Sequence, residues 1–256
     1  MPHRVVHLDL IDSTNAEAMR RASGGERGPL WIVAARQSAG RGRQGRSWAS
    51  EAGNLHATLL ITVPAPADVA AQTSFVAALA VFDLAAGLLA SPEKLALKWP
   101  NDVLLDNAKL SGILIETTAQ DRPDRTTVAI GIGVNLVHAP APRHARYRTT
   151  SLARHGCRVE PAEAFARLAE VMAARLALWN DGGNFAVIRR DWTARAAGLG
   201  RLASVTTGER TVIGHITGLS NDGALLLSEP GGRMHAIRAG EVSLAPDSAI
   251  GSAGAS

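Results

Sequence analysis

Two short turns divide residues 95–118, LALKWPNDVLLDNAKLSGILIETT, into three apolar strands: Pro100-Asn101-Asp102 is the first turn and Asp106-Asn107 the second. Connections this short join antiparallel neighbours, because a parallel pair needs a crossover of a dozen or more residues. The rest of the first 200 residues interleaves strands with helices. HRVVHLDL (3–10), LWIVAA (30–35), NLHATLLITV (54–63) and TVAIGIGVNLV (127–137) read as strands. A helix is expected from Thr14, which with Glu17 fits a capping box, and a long Ala/Leu-rich helix over 68–90. Between 161 and 179, Phe165, Leu168, Met172, Leu176 and Trp179 recur at helical spacing, and 184–196 reads as one more helix. The Pro- and Arg-rich segment 139–156 reads as a surface loop. This pattern predicts an α+β fold, a mainly antiparallel sheet with flanking helices.

After AGLG (197–200) the pattern changes to short strands alone: TVIGHITGL, the turn SNDG, ALLLS and RMHAIRAGEVSL. Asn221-Asp222-Gly223 is a hairpin signal, and the segment reads as a small β-barrel. The expected division is a main domain over 1–199, a β module over 200–248 and a disordered tail over 249–256.

Composition narrows the class. The 256 residues are 46% hydrophobic and 20% charged, enough for an ordinary core, and a net charge of +4 does not by itself argue for nucleic acid. The N-terminus has acids where a signal peptide needs an apolar region. The apolar run 76–90 carries Asp83 and is too short to span a bilayer. A cytoplasmic protein with no membrane contact is expected. Cys157 is the one cysteine, so an internal disulfide and a cysteine metal cluster are excluded, and no catalytic motif surrounds it.

AGRGRQGRSW (39–48) places Gly40, Gly42 and Gly45 at the G-x-G-x-x-G spacing of a dinucleotide-binding turn. The context is wrong for that: RQSA separates the strand from the loop, no helix follows, and no acid lies about 20 residues on. Arg41, Arg43 and Arg46 instead suggest an anion site, guanidinium forks supplemented by backbone N–H groups that glycines let converge. The alternative is a solvated loop. A second signal is the scarcity of lysine. Of 27 basic residues, only Lys94, Lys98 and Lys109 are lysines, all within 16 residues. A compact ammonium is not interchangeable with a guanidinium at a point-charge site, which marks Lys98 and Lys109.

DSTN (12–15) offers hydroxyls and an amide at a helix start, for a polar ligand head or for plain capping. KWPND (98–102) groups a lysine, a tryptophan and two short polar side chains at a turn that is otherwise ordinary. KLSGILIE (109–116) puts Lys109 at the head of an apolar strand, as a site residue or an edge-strand gatekeeper, and Gly112 can admit a ligand close to the backbone. Together these stretches gather cations around a cleft suited to an acidic, phosphorylated ligand.

GRGRQGRSW, KWPND, KLSGILIE and GIGVN (131–135), in this order, resemble the signature of biotin protein ligases, also called biotin–[acetyl-CoA-carboxylase] ligases, across about 3–247. The resemblance implies a class II synthetase-like catalytic domain followed by an SH3-like module. It implies that biotin and ATP, with Mg²⁺, form biotinyl-5′-adenylate, and that biotin passes to one lysine of a biotin carboxyl carrier protein. It implies a biotin site of Ser13, Thr14, Asn15 and Gln37, joined by Gly40, Arg41 and Gly42 of the loop and by Gly112. Arg43 and Lys109 fall at the reacting carboxylate and phosphate as the catalytic pair. Arg46, Trp48, Asn101, Asp102 and Asn135 fall with Arg43 on the nucleotide side, Trp48 as a stack for adenine. Lys98 falls near phosphate or the acceptor lysine, and no metal ligand is assigned.

Some members of that family carry an N-terminal helix-turn-helix domain. Here the pattern starts within the first ten residues, so a ligase-only protein without DNA binding is expected. The oligomeric state, homodimer included, stays open. A lipoate or octanoyl ligase of the same fold is the first rival, although GRGRQG favours biotin. An arginine-glycine nucleic-acid module is the second, weakened by aromatic residues at only 4%.

Overall fold

The computed structural model of the chain describes residues 4–118, 124–140 and 148–244. Its main sheet contains β1 (Arg4–Ile11), β2 (Leu30–Gln37), β3 (Leu55–Val63), β4 (Leu95–Lys98), β5 (Asp102–Leu105), β6 (Ala108–Thr117) and β7 (Thr126–Val134). The strand order is β1-β2-β3-β7-β6-β5-β4. β1 and β2 are parallel, bridged by helix α1 (Thr14–Ser23), and every other pair is antiparallel, as the short turns require.

Helices α2 (Ala67–Ala70), α3 (Thr73–Ala86), α4 (Pro161–Trp179) and α5 (Phe185–Thr193) complete the main unit. α3 and α4 cover one face of the sheet and α1 packs on the other. The helix expected over 68–90 is interrupted at 71–72 and ends at Ala86. By length and composition alone the stretch Ala67–Ala86 could cross a membrane, longer than the run judged too short from sequence, but most of it is buried in the protein. Asp83 has a structural task here. Arg175 of α4 donates to Asp83 at 2.6 Å and to Asp191 of α5 at 2.9 Å, pinning three helices with one guanidinium.

Five strands form a second, wholly antiparallel sheet: β8 (Leu202–Thr207), β9 (Arg210–Leu219), β10 (Leu225–Ser228), β11 (Met234–Ile237) and β12 (Glu241–Leu244). Its order is β11-β10-β9-β8-β12, and Asn221–Gly223 lies in the β9–β10 turn, with Gly223 at φ +87°. β8 was not distinguished in the sequence. The segment 197–200 begins attached rather than free: Ala197 N–H donates to Leu97 O at 2.7 Å on β4, and Leu97 N–H to Arg195 O at 2.8 Å. The apolar core runs on from the main sheet to Val205, Leu225 and Val242 of the second. The tail 249–256 lies outside the described residues.

Candidate functional site

The site begins with an alternation in β7. Ile130, Ile132 and Val134 point into the core, while Ala129, Gly131 and Gly133 form the opposite face. A nearly bare strand in mid-sheet leaves a trough, and large polar side chains fill it. A Cβ on Gly131 would stand 2.1 Å from Asn15 Oδ1, and one on Gly133 2.5 Å from the Trp48 ring. Gly112, opposite Gly133 on β6, lies beneath the Lys109 ammonium and the same tryptophan, each 3.1 Å from its would-be Cβ. These glycines therefore admit side chains of the site itself.

One wall comes from the start of α1. Ser13 is the N-cap, its hydroxyl accepting from Ala16 N–H, so the helix is capped one residue earlier than expected. Glu17 pairs instead with Arg20 and Arg21. That leaves Thr14 and Asn15 for the trough. Gln37 Oε1 accepts from Thr14 N–H at 2.8 Å, and its Nε2 donates to Ser50 Oγ at 2.7 Å. Thr58 Oγ1 lies 2.8 Å from Thr14 Oγ1 and donates to Asn15 Oδ1 at 2.7 Å. The result is a buried, hydrogen-bonded polar end.

The glycine-arginine loop is a small hairpin closed by the bridge Arg41↔Ser47. Gln44 (φ 56°, ψ 35°) and Gly45 (φ +71°) both take left-handed conformations at its tip, and Arg46 N–H reaches Arg43 O, the geometry of a type I′ turn. Of the glycine N–H groups expected to converge on an anion, that of Gly42 is taken by Arg46 O at 2.7 Å. The three guanidinium groups diverge. Arg41 faces Glu116 of β6 at 3.3 Å, Arg43 reaches Asn101 Oδ1 at 3.3 Å, and Arg46 makes two 3.1 Å contacts with Glu241 of β12.

At the cationic end, Lys109 Nζ lies 2.6 Å from Asp102 Oδ1 and 5.4 Å from the centroid of the Trp48 ring. β6 is an interior strand, which removes the edge-gatekeeper reading of Lys109. Lys98 is nearby. Its pKa is lowered by burial and by the Lys109 charge, opposed by Asp102. Burial likewise lowers the pKa of Arg43. Asn101 is more than a turn residue, because its Nδ2 donates to Ile113 O at 2.6 Å across the strands. Asn135, buried, donates to Thr150 O at 3.0 Å.

These walls enclose a cavity of about 850 Å³. Every site residue picked out in the sequence borders it except Gly40, which lies behind it, where a Cβ would meet Ser50 Oγ and Trp48 O at 2.4 Å. Lys98 borders it as well, and Gly240, Glu241 and Val242 of the second sheet close one side. Sequence reading missed Thr58, His56, Glu116 and Glu241. Thr58 and His56 had a signal, polar residues alternating within the apolar run 54–63, and Glu116 ended the stretch KLSGILIE without being given a role; Glu241 had no signal beyond its charge. His56, 1% exposed, donates through Nε2 to Glu51 O at 3.2 Å, and its Nδ1 has no hydrogen-bond partner among the described residues. Cys157 does not border the cavity, and burial raises its pKa, away from the reactive thiolate.

Known proteins match this arrangement. Residues 8–135 fit the biotin/lipoate A/B protein ligase family, and 199–245 the biotin protein ligase C-terminal domain. The chain is 43% identical over 243 residues to a biotin–[acetyl-CoA-carboxylase] ligase of Paracoccus denitrificans, covering 92% of this chain and 98% of that one. It is 34% identical to a ligase of the same name from Mycobacterium tuberculosis, covering 92% and 88%. Among solved structures, a biotin protein ligase from Aquifex aeolicus in complex with biotin and ATP superposes with a TM-score of 0.78 at 27% identity, covering 94% and 98%. Fold, cavity and likeness along nearly the whole chain agree: the chain belongs to the biotin/lipoate A/B protein ligase family.

Proposed function

We infer that this chain activates biotin with ATP and transfers the biotinyl group to a lysine of a biotin carboxyl carrier protein. The carrying observation is one cavity with a buried polar end at Thr14, Asn15 and Gln37 and a cationic end at Arg43, Lys98 and Lys109. A carboxylate is a poor electrophile. Biotin's carboxylate oxygen attacks the α-phosphorus of ATP, the bond to the bridging oxygen breaks, and pyrophosphate leaves. Two anions must meet for this, and fixed cations at their junction favour the charge-rich transition state. The carrier amine then attacks the mixed anhydride and AMP departs. No enzyme nucleophile is required.

In this reading Lys109 and Arg43 act at the reacting carboxylate and phosphate, and Trp48 offers a face to adenine. Mg²⁺ belongs to the ATP. Among the described residues no three His, Cys, Asp or Glu side chains gather to hold a metal. The carboxylates bordering the cavity, Asp102 and Glu241, are paired with Lys109 and Arg46. These residues do not furnish a metal cage, so the ion would enter on phosphate oxygens. The proposed division assigns the chemistry to 1–199 and the closing side of the cavity to 200–248, in a protein working in the cytoplasm.

The test is mass spectrometry of the protein incubated with MgATP and either biotin or lipoate, then with a carrier domain. Biotinyl-adenylate and a biotinylated carrier lysine are expected. Lipoyl-adenylate alone would transfer the assignment to a lipoate ligase.

A further inference from the structure

Glu116 has no part in the reaction described above, yet it touches two residues of the biotin side at once. Its Oε2 accepts from Asn15 Nδ2 at 2.9 Å, and its Oε1 lies 3.3 Å from Arg41 Nη2. Asn15 is 3% exposed, and its amide is fully engaged: Nδ2 also points at Leu114 O, 3.3 Å away, while Oδ1 accepts from Thr58 Oγ1 at 2.7 Å. Rotating that amide by half a turn would aim its oxygen at a carboxylate and its nitrogen at the space over Gly131. Leu114 O and Glu116 Oε2 can only accept, so together they fix which way the amide points, and Glu116 makes the shorter contact. The carboxylate also crosses from β6 to the glycine-arginine hairpin, adding a contact at Arg41 to those that Arg43 makes with Asn101 and Arg46 with Glu241.

We propose that Glu116 is a positioning residue that fixes the orientation of the Asn15 amide and holds the hairpin over the cavity through Arg41. This rests on the ligase reading for its substrate and on geometry for its mechanics. The Arg41–Glu116 pair is half open to solvent, so its own contribution is small. The consequence is therefore in ligand capture rather than in the chemical step. Retention of biotin depends on Glu116, while charge stabilisation at the phosphate, assigned to Arg43 and Lys109, does not.

Glu116→Gln tests this, because glutamine keeps an acceptor for Asn15 and removes the charge that holds Arg41. The expected result is a biotin KM raised about 5- to 10-fold with kcat within about 2-fold, an unchanged ATP KM and an unchanged melting temperature. Independently of any activity, tryptic cleavage after Arg41 in the ligand-free variant should be several-fold faster than in wild type. That readout stands even if biotin is not the substrate, so failure of the ligase reading and failure of this proposal are distinguishable. In an Arg41→Gln background, Glu116→Gln should add less than about 2-fold to the biotin KM, since coupled residues are not additive. Unchanged KM and unchanged cleavage overturn the proposal. So does a fall in kcat that tracks a lost melting temperature, or full additivity in the double variant.

Discussion

Lys109 Nζ and Asp102 Oδ1 are 2.6 Å apart, with side chains only 12% and 10% exposed. The lysine is therefore held in place before any ligand arrives, and it can act as a preorganised charge. Removing it strips the transition state of that charge and leaves a carboxylate nearly closed to solvent. Lys109→Ala should form biotinyl-adenylate at least ~100-fold more slowly and lose about 1–3 kcal/mol of stability. Lys109→Arg should rescue poorly, because the space above Gly112 is already filled to 3.1 Å and a planar fork is larger. Single-turnover adenylation beside thermal melting checks both; a wild-type rate in Lys109→Ala would end the catalytic assignment.

The two glycines of β7 should separate the substrates. A methyl at Gly131 displaces Asn15, and one at Gly133 displaces Trp48. Misplacement by an ångström costs heavily in a preorganised site. Gly131→Ala is expected to raise the biotin KM at least ~10-fold with little change for ATP, and Gly133→Ala the reverse. Steady-state titration of each substrate decides, and equal effects on both would contradict the two-ended cavity.

Arg46 and Glu241 connect the hairpin to the second sheet through two 3.1 Å contacts, with the arginine 47% exposed. A pair that open contributes up to about 1 kcal/mol. Glu241→Gln should thus melt within about 4 °C of wild type. Tryptic cleavage after Arg46 should nevertheless quicken, and biotin with ATP should suppress it in wild type. Identical digestion of variant and wild type would mean that the second sheet does not restrain the hairpin.

His56 carries a pH dependence. Burial lowers its pKa, with the Glu51 carbonyl opposing, while in the unfolded chain an imidazole titrates near ~6.5. Below that value the unfolded state binds a proton that the folded state refuses, so stability is lost as pH falls from about 6.5 toward the folded pKa and is fully present above it. One pH unit below 6.5 the loss is at most ~1.4 kcal/mol. Wild type should lose more melting temperature than His56→Gln between about pH 7.5 and 5.5; parallel losses would place the titration elsewhere.

Local patterns carried much of this protein. Apolar, β-rich runs located β3 and β7, and the short turns of 95–118 marked off β6 and required antiparallel neighbours. The grouped lysines pointed to the cationic end, and motif likeness supplied the family. Where local signals competed, the chain chose otherwise. Ser13 caps α1 rather than Thr14, because Thr14 is drawn to Gln37 and Thr58 across the sheet. The Ala-rich helix tightens at 71–72, where Gln72 N–H turns to Val69 O while the backbone stays helical, although nothing in its composition marks the place.

By itself, the sequence determined the elements, the mainly antiparallel pairing and the inventory of charges, because each depends on residues within a few positions of one another. Only the tertiary structure decided which charges meet. Asn15 and Glu116 are 101 residues apart and Arg46 and Glu241 195 apart. No periodicity spans such distances; they are closed by strand order and by the trough of Gly131 and Gly133. A glycine in a strand reads the same whether its space goes to a ligand, a tryptophan or an asparagine. Which of these fills it depends on what the fold brings overhead.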